Sequence, residues 1–218
     1  MRKLSVNTFI SLDGVMQGPG GPAEDPTGGF DLGGWNATYW DDVMGEIMGQ
    51  AFAKAPDFLL GRKTYEIFAA HWPFVEDGTA DALNAATKYV ASRTLKPADL
   101  TWKNSELLEG DAADAVAALK QGDGPEVNVQ GSSDLLQTLL AGDLVDELTV
   151  WTFPVLLGKG KRLFEAGIAP SGLKLVSSET STTGVVIATY ERAGEVPRGD
   201  FQLAEPTEAE LRRRADLT

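Results

Sequence analysis

Val127-Asn128-Val129-Gln130-Gly131-Ser132-Ser133-Asp134-Leu135-Leu136-Gln137-Thr138-Leu139-Leu140-Ala141-Gly142-Asp143-Leu144-Val145-Asp146-Glu147-Leu148-Thr149-Val150-Trp151 reads as one βαβ unit. Val127 and Val129 are β-branched residues entering a glycine–serine turn. Leu135, Leu136, Leu139 and Leu140 then fall on one helical face, and Gly142 stops the helix. Leu144, Val145, Leu148, Val150 and Trp151 supply the returning strand. Ser132 or Ser133 suits the N-cap, and Asp134 suits the positive end of the helix dipole. Glycine and hydroxyls between a strand end and a helix start are also what a phosphate requires, because the backbone approaches closely and its N–H groups point outward. Taken alone, the turn reads first as an ordinary capped junction.

Two further junctions of the same kind stand elsewhere in the chain. Phe58-Leu59-Leu60 is a continuous apolar run suited to a buried parallel strand, and Gly61-Arg62-Lys63-Thr64 follows it before the helical face of Tyr65, Phe68 and Ala69. Lys88-Tyr89-Val90-Ala91 is a short strand with Ser92-Arg93-Thr94 at its end. Hydroxyl and cation thus recur at three strand carboxyl ends, where open α/β sheets bind their ligands.

The chain begins with an alternating strand, Leu4 to Ile10, and the turn Ser11-Leu12-Asp13-Gly14. Residues 18 to 34 contain seven glycines and three prolines, which predicts a mobile loop, either a functional lid or a disordered segment. A helix from about Tyr39 to Phe52 follows, with Trp40, Met44, Ile47, Met48 and Ala51 on its buried face and Asp41 at the margin of that face. His71 beside Trp72-Pro73 reads as a structural residue. Trp102 is expected in an irregular strand, and Ala112 to Leu119 in an alanine-rich helix. Pro154-Val155-Leu156-Leu157-Gly158-Lys159-Gly160-Lys161-Arg162 is a glycine-basic loop but not a Walker A loop, since Arg162 stands where Ser or Thr is required. Leu173 to Thr180 and Val185 to Glu191 predict a final hairpin around Thr182-Thr183-Gly184. From Gly194 the sequence turns polar, with Thr207 and Glu210 as a capping box for a short terminal helix.

Composition bounds the chemistry. The 218 residues carry a formal net charge of −13, which repels nucleic acid and anionic membranes at long range. There is no cysteine and one histidine, so thiolate nucleophiles, disulfides and histidine metal cages are not expected. No apolar run approaches the ~18 residues of a membrane span, and no apolar leader follows Met1. The expected protein is cytoplasmic and binds a small molecule, with neither a metal site nor a membrane or nucleic-acid partner.

Taken together, Ser11-Leu12-Asp13-Gly14, the glycine-rich loop to Trp35, Leu60-Gly61-Arg62-Lys63-Thr64-Tyr65, Ser92-Arg93, Val129-Gln130-Gly131-Ser132-Ser133 and Pro154 to Gly160 resemble the dihydrofolate reductase-like superfamily. Within it the chain is most similar to the reductase domain of bacterial riboflavin biosynthesis and its stand-alone relatives. The resemblance covers about residues 2 to 192 and leaves residues 193 to 218 as a polar tail with a short helix. It implies an α/β fold, a mostly parallel sheet flanked by helices with a C-terminal antiparallel hairpin, and a homodimer. It also implies NADPH as cofactor and hydride transfer to a C=N bond of a pteridine, pyrimidine or ribosylamine-like substrate. The alternative is a nucleotide-binding protein of the same fold without catalysis.

Carried over by position, Gly61, Arg62, Lys63 and Thr64 meet the adenosine phosphates and pyrophosphate. Ser92 and Arg93 meet the 2′-phosphate, and Gly131, Ser132, Ser133 and Asp134 the pyrophosphate and nearby ribose. Asp41 matches the family's catalytic carboxylate on the helix after the glycine-rich loop, and Asp13 is the second candidate. Dihydrofolate reductases have a Gly-Gly pair of unusual peptide geometry where this chain has Gly131-Ser132.

Overall fold

Alternation of short apolar strands with amphipathic helices produces a single sheet whose parallel strands are covered on both faces. A computed structural model describes residues 1–165, 168–201 and 203–217. In chain order the elements are β1 (Leu4–Ser11), α1 (Asp42–Ala53), β2 (Asp57–Gly61), α2 (Arg62–Ala69), α3 (Gly78–Ala85), β3 (Lys88–Ala91) and β4 (Ser105–Leu108). They continue with α4 (Ala112–Gln121), β5 (Val127–Gly131), α5 (Ser133–Ala141), β6 (Glu147–Phe153), β7 (Leu173–Thr180), β8 (Val186–Arg192) and α6 (Glu208–Ala215).

The strands form one sheet in the order β4-β3-β2-β5-β1-β6-β8-β7. All pairings from β4 to β6 are parallel, and β8 joins β6 and β7 antiparallel as the end of the C-terminal hairpin. β1 lies between β5 and β6, so the βαβ unit spans the sheet centre rather than pairing its own two strands.

Period-two alternation in β1 divides the core. Leu4, Val6 and Ile10 pack with Val127, Val129 and the leucine face of α5, Leu135, Leu136 and Leu139. On the other face Met44 and Met48 of α1 pack with Trp151, Phe153 and Ile187. Phe58, Leu59 and Leu60 of β2 are at most 1% exposed, as a central strand covered on both sides requires. Burying each such side chain contributes about 1.5–3 kcal/mol.

Several local expectations are corrected. α1 begins at Asp42, and Trp40 precedes it in extended backbone, 44% exposed and stacked on Trp151 instead of lying on the helix's buried face. Trp102 lies outside any strand; the strand is Ser105–Leu108, while the Trp102 ring covers the fully buried Lys88, whose ammonium lies 4.4 Å from the ring centroid. Lys88 Nζ donates to the carbonyls of Leu83 (3.0 Å) and Asn84 (3.3 Å) in the last turn of α3, a helix the apolar pattern did not predict. Burial, and then repulsion from Lys103, hold the Lys88 pKa down to about 8.

The glycine-rich segment, expected from its composition to be a mobile loop, is tied to the rest of the fold at several points. Phe30 and Trp35 are buried, and the Gln17 amide donates to the carbonyls of Asp25 (2.9 Å) and Thr27 (2.8 Å). Glycine serves here for close approach: a Cβ on Gly33 would lie 2.5 Å from the Gly21 carbonyl oxygen.

Candidate active site

A cleft of about 650 Å³ opens where β5 ends and β1 continues past it. This lies within the ~300–1,000 Å³ usual for small-molecule sites. One wall is made by the turns that follow β2 and β5. These turns interlock, because a Cβ on Gly61 would lie 2.3 Å from Ser132 Oγ and 2.8 Å from Ser132 N. Gly131, at φ +139°, brings its backbone so close to Thr64 that a Cβ would lie 2.8 Å from Thr64 Oγ1. A cis peptide joins Gly131 to Ser132, with serine standing where the resemblance has a second glycine.

The N-termini of α2 and α5 therefore meet at this wall, and neither carries a side-chain cap; their N-cap residues are Gly61 and Ser132. Elsewhere capping is the rule. Asp41, Asp77, Asp111 and Thr207 each accept a first-turn backbone N–H on α1, α3, α4 and α6. Helix N-termini present orphan N–H donors and partial positive charge. Here they meet beside the cleft together with the hydroxyls of Thr64, Ser132 and Ser133. Such a donor set fits the pyrophosphate of a dinucleotide.

Residues 16 to 25 form another part of the wall, and Lys161 ties them down. Its ammonium donates to Asp25 Oδ2 and, at 3.0 Å, to Thr27 Oγ1. Lys63 on α2 reaches Thr27 Oγ1 at 3.5 Å. Lys161 pushes the Lys63 pKa down, burial adds to this, and Asp25 and Asp134 oppose it. Two ammonium groups at a cleft rim form a site that an anion relieves.

Of the residues singled out in the sequence, Lys63, Thr64, Gly131, Ser132, Ser133 and Asp134 line this cleft, and Gly61 is buried against Ser132 beneath it. Arg62 does not line it and pairs with Glu66 at 3.1 Å. Ser92 and Arg93 follow β3, one strand beyond β2, outside the cleft lining; the Ser92 hydroxyl accepts from the N–H groups of Thr94 (3.2 Å) and Leu95 (3.0 Å).

The two candidate catalytic carboxylates are both elsewhere. Asp41 caps α1 by accepting from Met44 N at 2.9 Å, and it takes the Thr182 N–H and hydroxyl, each at 2.6 Å, from the β7–β8 turn. The Thr182 hydroxyl first, and then the Met44 N–H, hold its pKa below the ordinary value. Asp13 accepts from Ser11 Oγ (2.7 Å), Leu157 N (3.0 Å) and Gly158 N (2.8 Å), which joins the first turn to the glycine-basic loop. Both carboxylates lie outside the cleft lining, each accepting hydrogen bonds that join separate segments of the fold. Conversely, His71, read as structural, is exposed at the cleft with its ring 5.0 Å from that of Trp72. Sequence reasoning also passed over Glu24, Asn36 and Ile67. Their signal was weak, since two lie inside the glycine-rich segment or at its exit.

Comparison with known proteins agrees with this geometry. The RibD C-terminal domain model matches residues 2–187. The chain belongs to the RibD C-terminal domain family. It is 27% identical over 202 residues to the uncharacterised protein YyaP of Bacillus subtilis, covering 88% of this chain and 96% of that protein. Among solved structures, a Shewanella sp. PV-4 protein assigned to riboflavin biosynthesis superposes with a TM-score of 0.63 at 21% identity, covering 88% and 99% of the two chains. A pyrimidine reductase-like protein of Corynebacterium diphtheriae gives 0.59 at 13% identity, with 89% and 93% coverage. The diaminohydroxyphosphoribosylaminopyrimidine deaminase/5-amino-6-(5-phosphoribosylamino)uracil reductase of Thermotoga maritima gives 0.57 at 13%, covering 88% of this chain and 57% of that one. At these identities the structural likenesses establish the RibD C-terminal fold, an α/β sheet closed by the β6-β8-β7 antiparallel edge.

Proposed function

We propose that this RibD C-terminal domain protein is an NADPH-dependent reductase acting on a C=N bond of a pteridine, pyrimidine or ribosylamine-like substrate. The observation that carries the reading is the pair of uncapped α-helix N-termini meeting at one cleft wall, while the other four α-helices among the described residues carry a side-chain cap. The backbone N–H groups that open α2 and α5, with the Thr64, Ser132 and Ser133 hydroxyls, would hold the pyrophosphate. Lys63 and Lys161 add positive charge at the rim. Arg93, which is exposed and has no carboxylate partner among the described residues, would take the 2′-phosphate beyond β3. The cofactor, when bound, supplies the hydride; the protein orients the reactants and excludes water.

Calorimetric titration with NADPH and NADH tests this reading. NADPH is expected to bind more tightly, and Arg93→Ala to remove about 1.5–3 kcal/mol, roughly 10- to 150-fold, from NADPH affinity alone. Equal wild-type affinities for the two cofactors would contradict it.

One observation favours a second reading, a nucleotide-binding protein without catalysis: Asp13 and Asp41, the two carboxylates matched to the chemistry, both lie outside the cleft lining. NADPH oxidation in the presence of dihydropterin and riboflavin-precursor pyrimidines separates the two readings, because a pure binder is thermally stabilised by NADPH and oxidises none.

A further inference from the structure

Three carboxylates line the cleft: Glu24, Asp25 and Asp134. Asp25 is paired with Lys161, and Asp134 is exposed in the first turn of α5. Glu24 has no cation partner among the described residues. Its Oε2 accepts the backbone N–H groups of Gly20 (2.5 Å) and Gly21 (3.1 Å). The same three-residue leg of the loop meets Asn36, whose N–H donates to the Pro19 carbonyl at 3.3 Å. Asn36 is 7% exposed and lines the cleft, and its carboxamide has no hydrogen-bond partner among the described residues. Its amide atoms are not among the buried unpartnered ones, so they open into the cleft, where a ligand can meet them.

We propose that Glu24 is the proton donor of this cleft and Asn36 the group that orients the substrate's nitrogen-bearing ring edge toward it. The proposal rests on the reductase reading. Glu24 moves its carboxyl proton onto the substrate nitrogen while the adjacent carbon accepts hydride from the reduced nicotinamide, which is thereby oxidised. An N–H and a C–H bond form, the carboxyl O–H bond breaks, and the C=N bond becomes single. Water then returns a proton to the carboxylate. Burial raises the Glu24 pKa, repulsion by Asp25 adds to this, and the Gly20 and Gly21 N–H groups oppose it. The other charged or titratable groups lining the cleft are Asp134, Lys63, Lys161 and His71. An upward shift is the direction general-acid catalysis requires of a carboxyl.

Glu24→Gln keeps an acceptor for the Gly20 and Gly21 N–H groups but carries no transferable proton, so it preserves the loop. Carbon-13 NMR of glutamate-labelled wild-type protein should show one carboxyl titrating above the others, and this signal should be missing from Glu24→Gln. In NADPH oxidation with dihydropterin, Glu24→Gln should lower kcat by ~10²-fold and abolish the loss of rate at high pH. Asn36→Ala should raise KM and keep that pH profile. Glutamate signals that all titrate together, or a Glu24→Gln protein with wild-type kcat and pH profile, would overturn the proposal while leaving the reductase reading standing. Absence of NADPH binding and of turnover in the wild type would overturn both.

Discussion

Asp13, a candidate catalytic residue in the sequence, joins the first turn to the glycine-basic loop in the fold. The Ser11 hydroxyl and the Leu157 and Gly158 N–H groups hold its pKa down to about 2, against 3.8 for a free aspartate. A depressed folded-state value means stability that is fully present above the unfolded value and lost as pH falls from about 4 toward 2. Asp13→Asn is therefore expected to cost about 1 kcal/mol at neutral pH, a modest figure because the carboxylate is partly solvated. The difference should close near pH 2, as urea denaturation of both proteins at the two pH values will show. An unchanged difference in acid would refute the role. Asp41 makes the parallel case: Asp41→Asn should lower Tm through the α1 cap and the Thr182 contacts, and leave NADPH affinity and kcat unaltered. A loss of kcat with unchanged Tm would return it to the chemistry. The sequence showed both residues beside the right motifs. It could not show that main-chain and hydroxyl donors from more than 140 positions away would occupy their oxygens.

The elements divide between those whose pattern is local and those fixed by contact. β2, β5, α5 and the β7–β8 hairpin were legible because apolar runs, a helical leucine face and a Thr-Thr-Gly turn each carry their own signal. α3 was not, since Leu83 is its single large apolar residue and the rest of its buried face is alanine; only the Asp77 cap, accepting from Ala80 N at 2.7 Å, marks its start. The glycine-rich loop carries a related ambiguity: glycine permits both freedom and close packing, and the contacts with Gln17, Lys161 and Phe30 exist only in the fold. Lys161→Met is expected to release this loop, with faster amide hydrogen exchange around Thr27 to Gly29 and no change in β1. Protection equal to wild type would show that Gln17 and the buried rings suffice. At the cleft wall, Gly61→Ala is expected to cost about 1–3 kcal/mol, as for an overpacked core, because the Ser132 backbone cannot yield as a flexible side chain does. NADPH affinity should fall with it, since the same contact aligns the two helix N-termini.

At the scale of the whole molecule, the sheet order places the carboxyl ends of β2 and β5 and the middle of β1 around one cleft and leaves the antiparallel edge away from it. No helix among the described residues is long and apolar enough to cross a membrane. The net charge of −13 makes the cleft's positive elements stand out, because a chain so acidic binds an anion only where helix N-termini and paired lysines concentrate positive charge. That concentration was half visible in sequence: the three strand–turn junctions were on the page, but only the fold shows that two of them interlock while the third, at Ser92-Arg93, lies one strand further out. The most direct test is an NADPH titration followed by backbone amide chemical shifts of the full chain. The largest shifts are expected at Arg62 to Thr64 and at Ser132 to Asp134, the amides that open α2 and α5. Saturable binding whose shifts avoid both turns, or no binding at all, would contradict a dinucleotide site at the meeting point of these two helices.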